Sequence, residues 1–446
     1  MKRSHRLNLA AVAGIAAVAM VAAACGSSGT PSSGSSSSSA RTASAPGITA
    51  TTITIGSHQP LTGIAAPGYD EIAPASSAYF QYVNAHGGIY GRKIVYKFLN
   101  DQYNPATTSS VVHQLVLQDN VYAIFNGLGT PTHLAVAPFL NQSKVPDVFV
   151  ASGCECWNAP STWPYTFGWQ LDYVREGKLL GHYIEQHFQG KKIGFFYQDD
   201  EFGQDGVKGL KDEIPAKQIV SQQAYAPTNT KIGPQVAALK AAGAQVVVSF
   251  SVPDFTALLK LNMLGVSYTP QQLVVSSVGS DPITLAGLLE AFAKQGGHTV
   301  SGSALIHGII TDGYLPSLGD ASNSWIQLFG KIHLQYLPKV PMDFNVAYGM
   351  AAGYTFVQAM LKAGHNPTRQ DLVNAINGGL PQGPAVAPYA YSASDHNGIT
   401  GAYMATINNG VLSPIGPVLV TDDTPAGGFS TAASPPVAPA SGIPSP

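Results

Sequence analysis

Two of the three cysteines in the chain, Cys154 and Cys156, flank a single glutamate in the stretch 149–159, VASGCECWNAP. Thiols at this spacing could hold a metal, exchange electrons or close a disulfide. A metal centre needs more ligands than two thiolates, and no further His or Cys is spaced to supply them. C-x-C is not the C-x-x-C arrangement of dithiol oxidoreductases. In extended backbone, residues two apart have Cα atoms about 7 Å from one another, the limit of a disulfide's span; a tight turn brings them within reach. The spacing leaves bridged and free states open.

A second stretch, NGLGTPTHLAVAPFL at 126–140, ends a strand in Gly127-Leu128-Gly129. Thr130 then stands where a helix N-cap belongs and Pro131 where the first helical residue belongs. Open N–H groups and the helix dipole favour an anion such as a carboxylate there; the plain alternative is a capped helix. With no third glycine it is no dinucleotide fingerprint, and with no Gly-Lys-Ser/Thr it is no P-loop. A third stretch, YQDDEFGQDG at 197–206, gathers Asp199, Asp200, Glu201 and Phe202. An acidic and aromatic loop suits a ligand with an ammonium group and an apolar side, or is simply a solvated helix start. His182 and His187 share a helix but lie roughly 140° apart around it, which disfavours a metal site. Neither G-x-S-x-G nor H-E-x-x-H occurs. No catalytic residue, metal or cofactor is expected.

These loops need elements to carry them. TITIGS at 52–57 is a β-branched strand, and Ile72, Ala75, Tyr79, Tyr82 and Val83 recur at helical spacing over 71–85. Strands at 93–99, 121–127 and 146–152 alternate with helices at 105–119 and from Pro131. After residue 168 the alternation restarts, and Val246-Val247-Val248 fits a strand buried on both faces. Helices at 320–337, 345–364 and 369–377 return to complete the first block. The expected fold is α/β, with two Rossmann-like lobes of parallel-rich sheet and a hinge crossed several times. Lobe 1 takes 51–168 plus 305–384, and lobe 2 takes 169–304 plus 385–423. Ligands in such sheets bind beyond the carboxyl ends of the strands, so a cleft between the lobes is the place to look.

Composition bounds the rest. Charged residues make up 11% of the 446 and the net charge is -2, which offers no basic face for nucleic acid. Lys2, Arg3 and Arg6 precede an apolar run from Leu7 to Ala24, the layout of a secretory signal peptide over 1–24. A membrane anchor is the alternative, the run being just long enough to span. Ala22-Ala23-Ala24-Cys25 resembles a bacterial lipobox, with Ala22 where Leu is typical, and the resemblance makes Cys25 the lipidated residue. Residues 25–50 then form a Ser/Gly/Pro-rich tether, and 424–446 a low-complexity tail expected to be disordered. With Cys25 taken by lipid an even pair remains, for which an oxidising compartment favours a disulfide.

The chain resembles substrate-binding proteins of the branched-chain amino acid (Leu/Ile/Val) type that serve ABC importers, with the type I periplasmic-binding fold. The resemblance rests on ITIGSHQPLTG, YFQYVNAHGGIYGRKIVYKFLNDQYNPATT, AIFNGLGTPTHLAVAPFLNQSKVP, TFGWQLDYVREGKLLGHYI, GKKIGFFYQDDEFGQDGVKGLK, LKAAGAQVVVSFS and SASDHNGITGAY. Together these run through nearly all of 52–422. The resemblance implies that Thr130 binds a ligand carboxylate and that Gly153, Cys154 and Glu155 supply backbone and polar contacts. It implies that Phe202 closes over the ligand from the second lobe and that Tyr69, beside Gly68, adds an apolar contact. Glu155 stands where the family has a hydroxyl residue. SVGSDP replaces the family's acidic loop for the ammonium, with Asp281 as the substitute, and SFSVPDF lacks the Tyr often found there. The ligand is therefore a small organic solute: an amino acid, an amide or an aromatic acid. The implied role is extracytoplasmic capture by hinge closure, anchored to the membrane by lipid and delivering to an ABC permease. The same fold could instead report ligand to a membrane signalling partner. An enzyme such as an amidase or esterase is disfavoured by the missing nucleophile and base. A Cys154–Cys156 bridge would stiffen the solute contact rather than hold the fold together.

Overall fold

The computed structural model describes residues 41–445. The signal segment, Cys25 and most of the expected tether lie outside the described residues. The first sheet is carried by β1 (Thr52–Gln59), α1 (Ile72–Ala85), β2 (Lys93–Asn100), α2 (Pro105–His113), β3 (Ile124–Phe125), α3 (Thr130–Leu134), α4 (Ala137–Gln142), β4 (Asp147–Val150) and β5 (Thr166–Gly168). Its order is β2-β1-β3-β4-β5, all parallel. The second lobe opens with α5 (Tyr173–His187), β6 (Ile193–Gln198), α6 (Glu201–Glu213), β7 (Ile219–Tyr225), α7 (Gly233–Ala241) and β8 (Val246–Phe250). It continues with α8 (Pro253–Gly265), β9 (Gln272–Val275), α9 (Pro282–Gln295), α10 (Gly302–Ile306) and β10 (Ile310–Gly313). Three helices follow, α11 (Ser324–Tyr336), α12 (Phe344–Ala363) and α13 (Arg369–Asn377), then β11 (Gly401–Asn408), β12 (Val411–Val420) and β13 (Ser430–Thr431).

The second sheet runs β13-β12-β11-β10-β9-β8-β6-β7, parallel from β7 to β10 and antiparallel beyond. The strands with continuous apolar runs are the central ones. All five residues of β8 are buried, as a strand covered on both faces requires. The order of each sheet reverses beside its first strand, at β1 and at β6. Crevices open there at the carboxyl ends.

Three features depart from the expectations. β10 pairs with β9 through Ile310 and Val274, so residues 310–313 belong to the second sheet and the return to the first lobe begins later than residue 305. α12 then packs on α1, and α13 ties to the first lobe through Arg369, whose guanidinium donates to the carbonyls of Tyr122 and Val121. The helix expected from Pro131 is two short helices, broken at Ala135 and Val136.

The third departure is the C-terminal segment, which is an ordered strap. The buried Lys178 on α5 donates to the carbonyls of Asp422, Thr424 and Gly427. β13 extends the second sheet. The chain then crosses to the first lobe, where the side chains of Trp325, Tyr82 and Tyr79 donate to the carbonyls of Pro436, Ser441 and Gly442. Low complexity concealed this because the strap docks through its backbone carbonyls, for which composition carries no signal.

α6 sits close against α5. A Cβ on Gly209 would collide with the Val174 carbonyl, and one on Gly177 with the Gly206 carbonyl. Glycine at these positions permits backbone-to-backbone contact, so α6 moves with its lobe.

Candidate functional site

Loops after β1, β2, β3 and β4 face loops after β6, β8 and β9 across the crevice and line a partly open cavity of about 50 Å³. Tyr69, Tyr103 and Thr130 face it from the first lobe, and Tyr173, Phe202 and Ser277 from the second. Tyr314, Phe344 and Tyr348 close it on the hinge side. Among the described residues, no Lys, Arg, His, Asp or Glu lines this cavity. Its polar surface is phenol, hydroxyl, amide and backbone. Burial pushes the phenols of Tyr69, Tyr103 and Tyr314 well above their ordinary 10, so they serve as neutral hydrogen-bonding groups.

The lobes touch directly across the crevice. Tyr69 Oη donates to the Val278 carbonyl at 2.8 Å, and Gln198 Nε2 to Tyr103 Oη at 3.3 Å. Phe202 stacks at a tilt against Tyr173, ring centroids 4.6 Å apart. Asp200 caps α6 by accepting from Phe202 N, which orients the ring.

Of the residues singled out from sequence, Tyr69, Thr130 and Phe202 line the cavity. Thr130 does so with a different local geometry from that expected. Gly129, at φ 102°, is the N-cap, and Thr130 is the first helical residue. A Cβ on Gly129 would strike the Tyr103 ring and the Thr132 hydroxyl, so the turn requires glycine. The Thr130 hydroxyl bonds that of Ser152 at 2.7 Å, and Ser152 Oγ accepts from Cys154 N. Ser152 therefore joins the loops after β3 and β4.

Gly153, Cys154, Glu155 and Asp281 lie away from the cavity wall. The Gly153 carbonyl accepts from Tyr173 N at 2.7 Å and holds the crossing into α5. Cys154 is disulfide-bonded to Cys156 with Cα atoms 5.1 Å apart, and it packs with Ala137, Val150 and Trp157. The tight turn that makes the bridge possible is a short 3-10 segment, Glu155–Trp157, capped by Cys154. That turn carries Glu155 out of the cavity and toward α6. Asp281 is an N-cap: Oδ1 accepts from Thr284 N and Oδ2 from Phe344 N, the latter across the hinge. It faces a second cavity of about 230 Å³ with Asp312 and Asp343, separated from the first by Ser277 and Phe344. Burial and the charges of Asp281 and Glu71 push Asp343 up to about 9. Glu176 is also buried, and it accepts from Ser277 N, Ser277 Oγ and Ser276 Oγ, fixing the Ser277 wall.

Sequence reasoning passed over Tyr103, Tyr173, Tyr314, Phe344 and Tyr348. Tyr103 follows β2, so the carboxyl-end rule could have found it. Tyr314 lies on a hinge crossing, where no periodicity or motif marks a site, and Phe344 and Tyr348 open the long buried helix α12, where nothing in the pattern separates cavity wall from core.

Beneath the Gly127–Thr130 turn runs a buried chain of four side chains. Asp101 Oδ2 meets His58 Nδ1 at 2.7 Å, His58 Nε2 meets His133 Nδ1 at 2.9 Å, and His133 Nε2 meets Asp147 Oδ2 at 2.8 Å. Burial lowers the His58 pKa and favours its neutral form, against the opposing pull of the Asp101 carboxylate. His133 follows Thr130 on α3, so the chain steadies the residue that faces the cavity. No group of His, Cys, Asp or Glu among the described residues is arranged to hold a metal.

Two α/β lobes joined by several crossings around an interlobe cavity define the class of hinge-closing binding proteins. Residues 52–411 match the family model described as periplasmic binding protein, and the chain belongs to that family. It is 28% identical over 209 residues to Leu/Ile/Val-binding protein homolog 3 of Brucella melitensis, a match spanning 44% of this chain and 53% of that protein. The chain thus spans about half the length of the curated relatives it matches. Among solved structures, it is similar to a branched-chain amino acid ABC transporter protein from Thermus thermophilus with bound valine. That likeness has a TM-score of 0.69 and 20% identity over 83% of this chain and 97% of the other. A fatty acid ABC transporter substrate-binding protein from Thermomonospora curvata is similar at a TM-score of 0.67 and 22% identity, over 83% and 93% of the two chains. At these identities the likeness establishes the fold.

Proposed function

We propose that this protein captures a small organic solute outside the cytoplasmic membrane by lobe closure and delivers it to an ABC importer, without chemical turnover. The observation that carries this reading is the interlobe cavity, rich in aromatic rings and free of charged side chains. A solute gripped by Thr130 and Tyr69 on one lobe and Phe202 and Ser277 on the other has more contacts in the closed form than in the open one. Such differential affinity is what drives closure. The walls favour an aromatic or largely apolar solute whose polar end is met by hydroxyls and amides: an amino acid, an amide or an aromatic acid. Relatives of this fold associated with valine and with fatty acids support an apolar body as the common feature. Cys25 serves as the lipid anchor in this reading. No helix among the described residues is long and apolar enough to cross a membrane.

A thermal-shift screen of free amino acids, small amides and aromatic acids tests the proposal. A true ligand at about 100 times its Kd adds roughly 2.7 kcal/mol of stability. A screen in which none of these solutes raises the melting temperature would rule out the proposed solute classes.

A further inference from the structure

We propose that the Cys154–Cys156 bridge aims Glu155 across the cleft as a latch between the lobes, so that reducing the bridge loosens closure. This inference rests on the hinge-closing reading above. Two anchors hold the turn to the first lobe. Trp157 is buried, donates through Nε1 to the Ser152 carbonyl at 3.1 Å and packs edge-on against His133. Cys154 is buried in the same small cluster. Between these anchors the one-residue loop closed by the bridge leaves Glu155 directed at the second lobe.

Two groups on α6 receive it. Glu155 N donates to Asp205 Oδ2 at 2.9 Å, and the Glu155 carboxylate pairs with Lys208 Nζ at 2.5 Å. The ion pair is partly exposed and contributes little by itself. The backbone bond carries more weight, because Asp205 is largely shielded from water and leaving its carboxyl unpaired there is costly. The bridge closes the turn that presents this N–H, beside the backbone bonds from Trp157 N to the Cys154 carbonyl and from Asn158 N to the Glu155 carbonyl. A main-chain N–H can point outward at a facing lobe only while the turn around it is held, and an unbridged C-x-C can relax toward extended backbone. The same helix that receives Glu155 also carries Phe202 into the cavity. Latch and solute cover are therefore parts of one rigid element, seated on α5 through Gly177 and Gly209. Glu155 acts here as a positioning residue: it touches α6, and through α6 governs how firmly Phe202 covers the solute.

Reduction by a dithiol or a phosphine breaks the sulfur–sulfur bond. Two electrons and two protons yield two thiols, while the reductant becomes a cyclic disulfide or, with water, a phosphine oxide.

Hydrogen exchange of the full chain tests the proposal without a ligand. In the oxidised protein the segment 151–157 should exchange slowly. After treatment with tris(2-carboxyethyl)phosphine, or in the Cys154→Ala/Cys156→Ala variant, it should exchange about tenfold faster or more, while β8 stays protected. Asp205→Ala, with the bridge intact, should speed the same segment. Equal rates in oxidised, reduced and double-alanine proteins would overturn the proposal, as would an Asp205→Ala variant with wild-type rates. Small-angle scattering separates this from the hinge reading. Asp205→Ala should enlarge the radius of gyration, and so should reduction. Enlargement by Asp205→Ala alone sinks the role of the bridge and leaves closure standing. No enlargement in either case sinks the latch, and if a solute from the screen also fails to compact the protein, hinge closure goes with it.

Discussion

Thr130 shows what a single residue can and cannot disclose. Its place after a strand and before Pro131 predicts a position at the carboxyl end of a sheet, and its hydroxyl does face the cavity. Its bond to Ser152 was not legible, because that partner comes from another strand's loop. Replacing Thr130 with Ala should weaken binding of a stabilising solute by roughly tenfold, about 1.4 kcal/mol, as measured by titration; unchanged affinity would remove the residue from the site. Glu155 teaches the opposite lesson. The family pattern implies a ligand contact, but the flanking bridge turns the residue outward. The buried histidines add a pH prediction. His58 has a lowered pKa in the fold, so the unfolded chain binds more protons once pH falls below the ordinary 6.5. The stability this group contributes is present above 6.5 and is lost as pH falls further. The melting temperature should drop between about pH 7.5 and pH 5, and His58→Gln should flatten that slope while lowering the neutral value. Parallel slopes for variant and wild type would place the acid sensitivity elsewhere.

At the scale of elements, strands and long helices were legible because burial on both faces leaves continuous apolar runs, as in β8, and because α1 and α12 have apolar faces to cover. Short elements were not. β3 keeps two residues of ladder, since its flanks turn away at Asn126, which has a positive φ. The strap from 424 to 445 escaped notice because Gly, Pro and Ser give no periodicity. Removing it, by ending the chain after Asp423, should leave the Tyr79, Tyr82 and Trp325 donors unpaired. With the Lys178 bonds to Thr424 and Gly427 lost as well, about 1 kcal/mol per bond gives an expected loss of roughly 5 kcal/mol, with a red shift in Trp fluorescence. A truncated protein as stable as the full chain would make the strap an ornament of the fold. Helix packing offers a second test. Gly209→Ala pushes a methyl into the Val174 carbonyl and should cost about 1–3 kcal/mol in denaturant melts. A variant with wild-type stability would show that α6 is not held as closely as described.

At the scale of the whole molecule, alternation of strands and helices restarting after residue 168 was enough to predict two lobes and a cleft. The crossings were less legible, because hinge segments are neither periodic nor long. That is why Tyr314 went unnoticed and why residues 310–313 were assigned to the first lobe, whereas Phe344 and Tyr348 sit on α12, whose pattern marks a helix but not a cavity wall. Function turns on a solute held between the lobes against Phe202. Calorimetric titration of the strongest stabilising solute into wild type and Phe202→Ala tests it most directly. The account predicts one site per chain, a negative heat-capacity change from buried apolar surface, and at least about tenfold weaker binding in the variant. Equal affinity in the two proteins would contradict it.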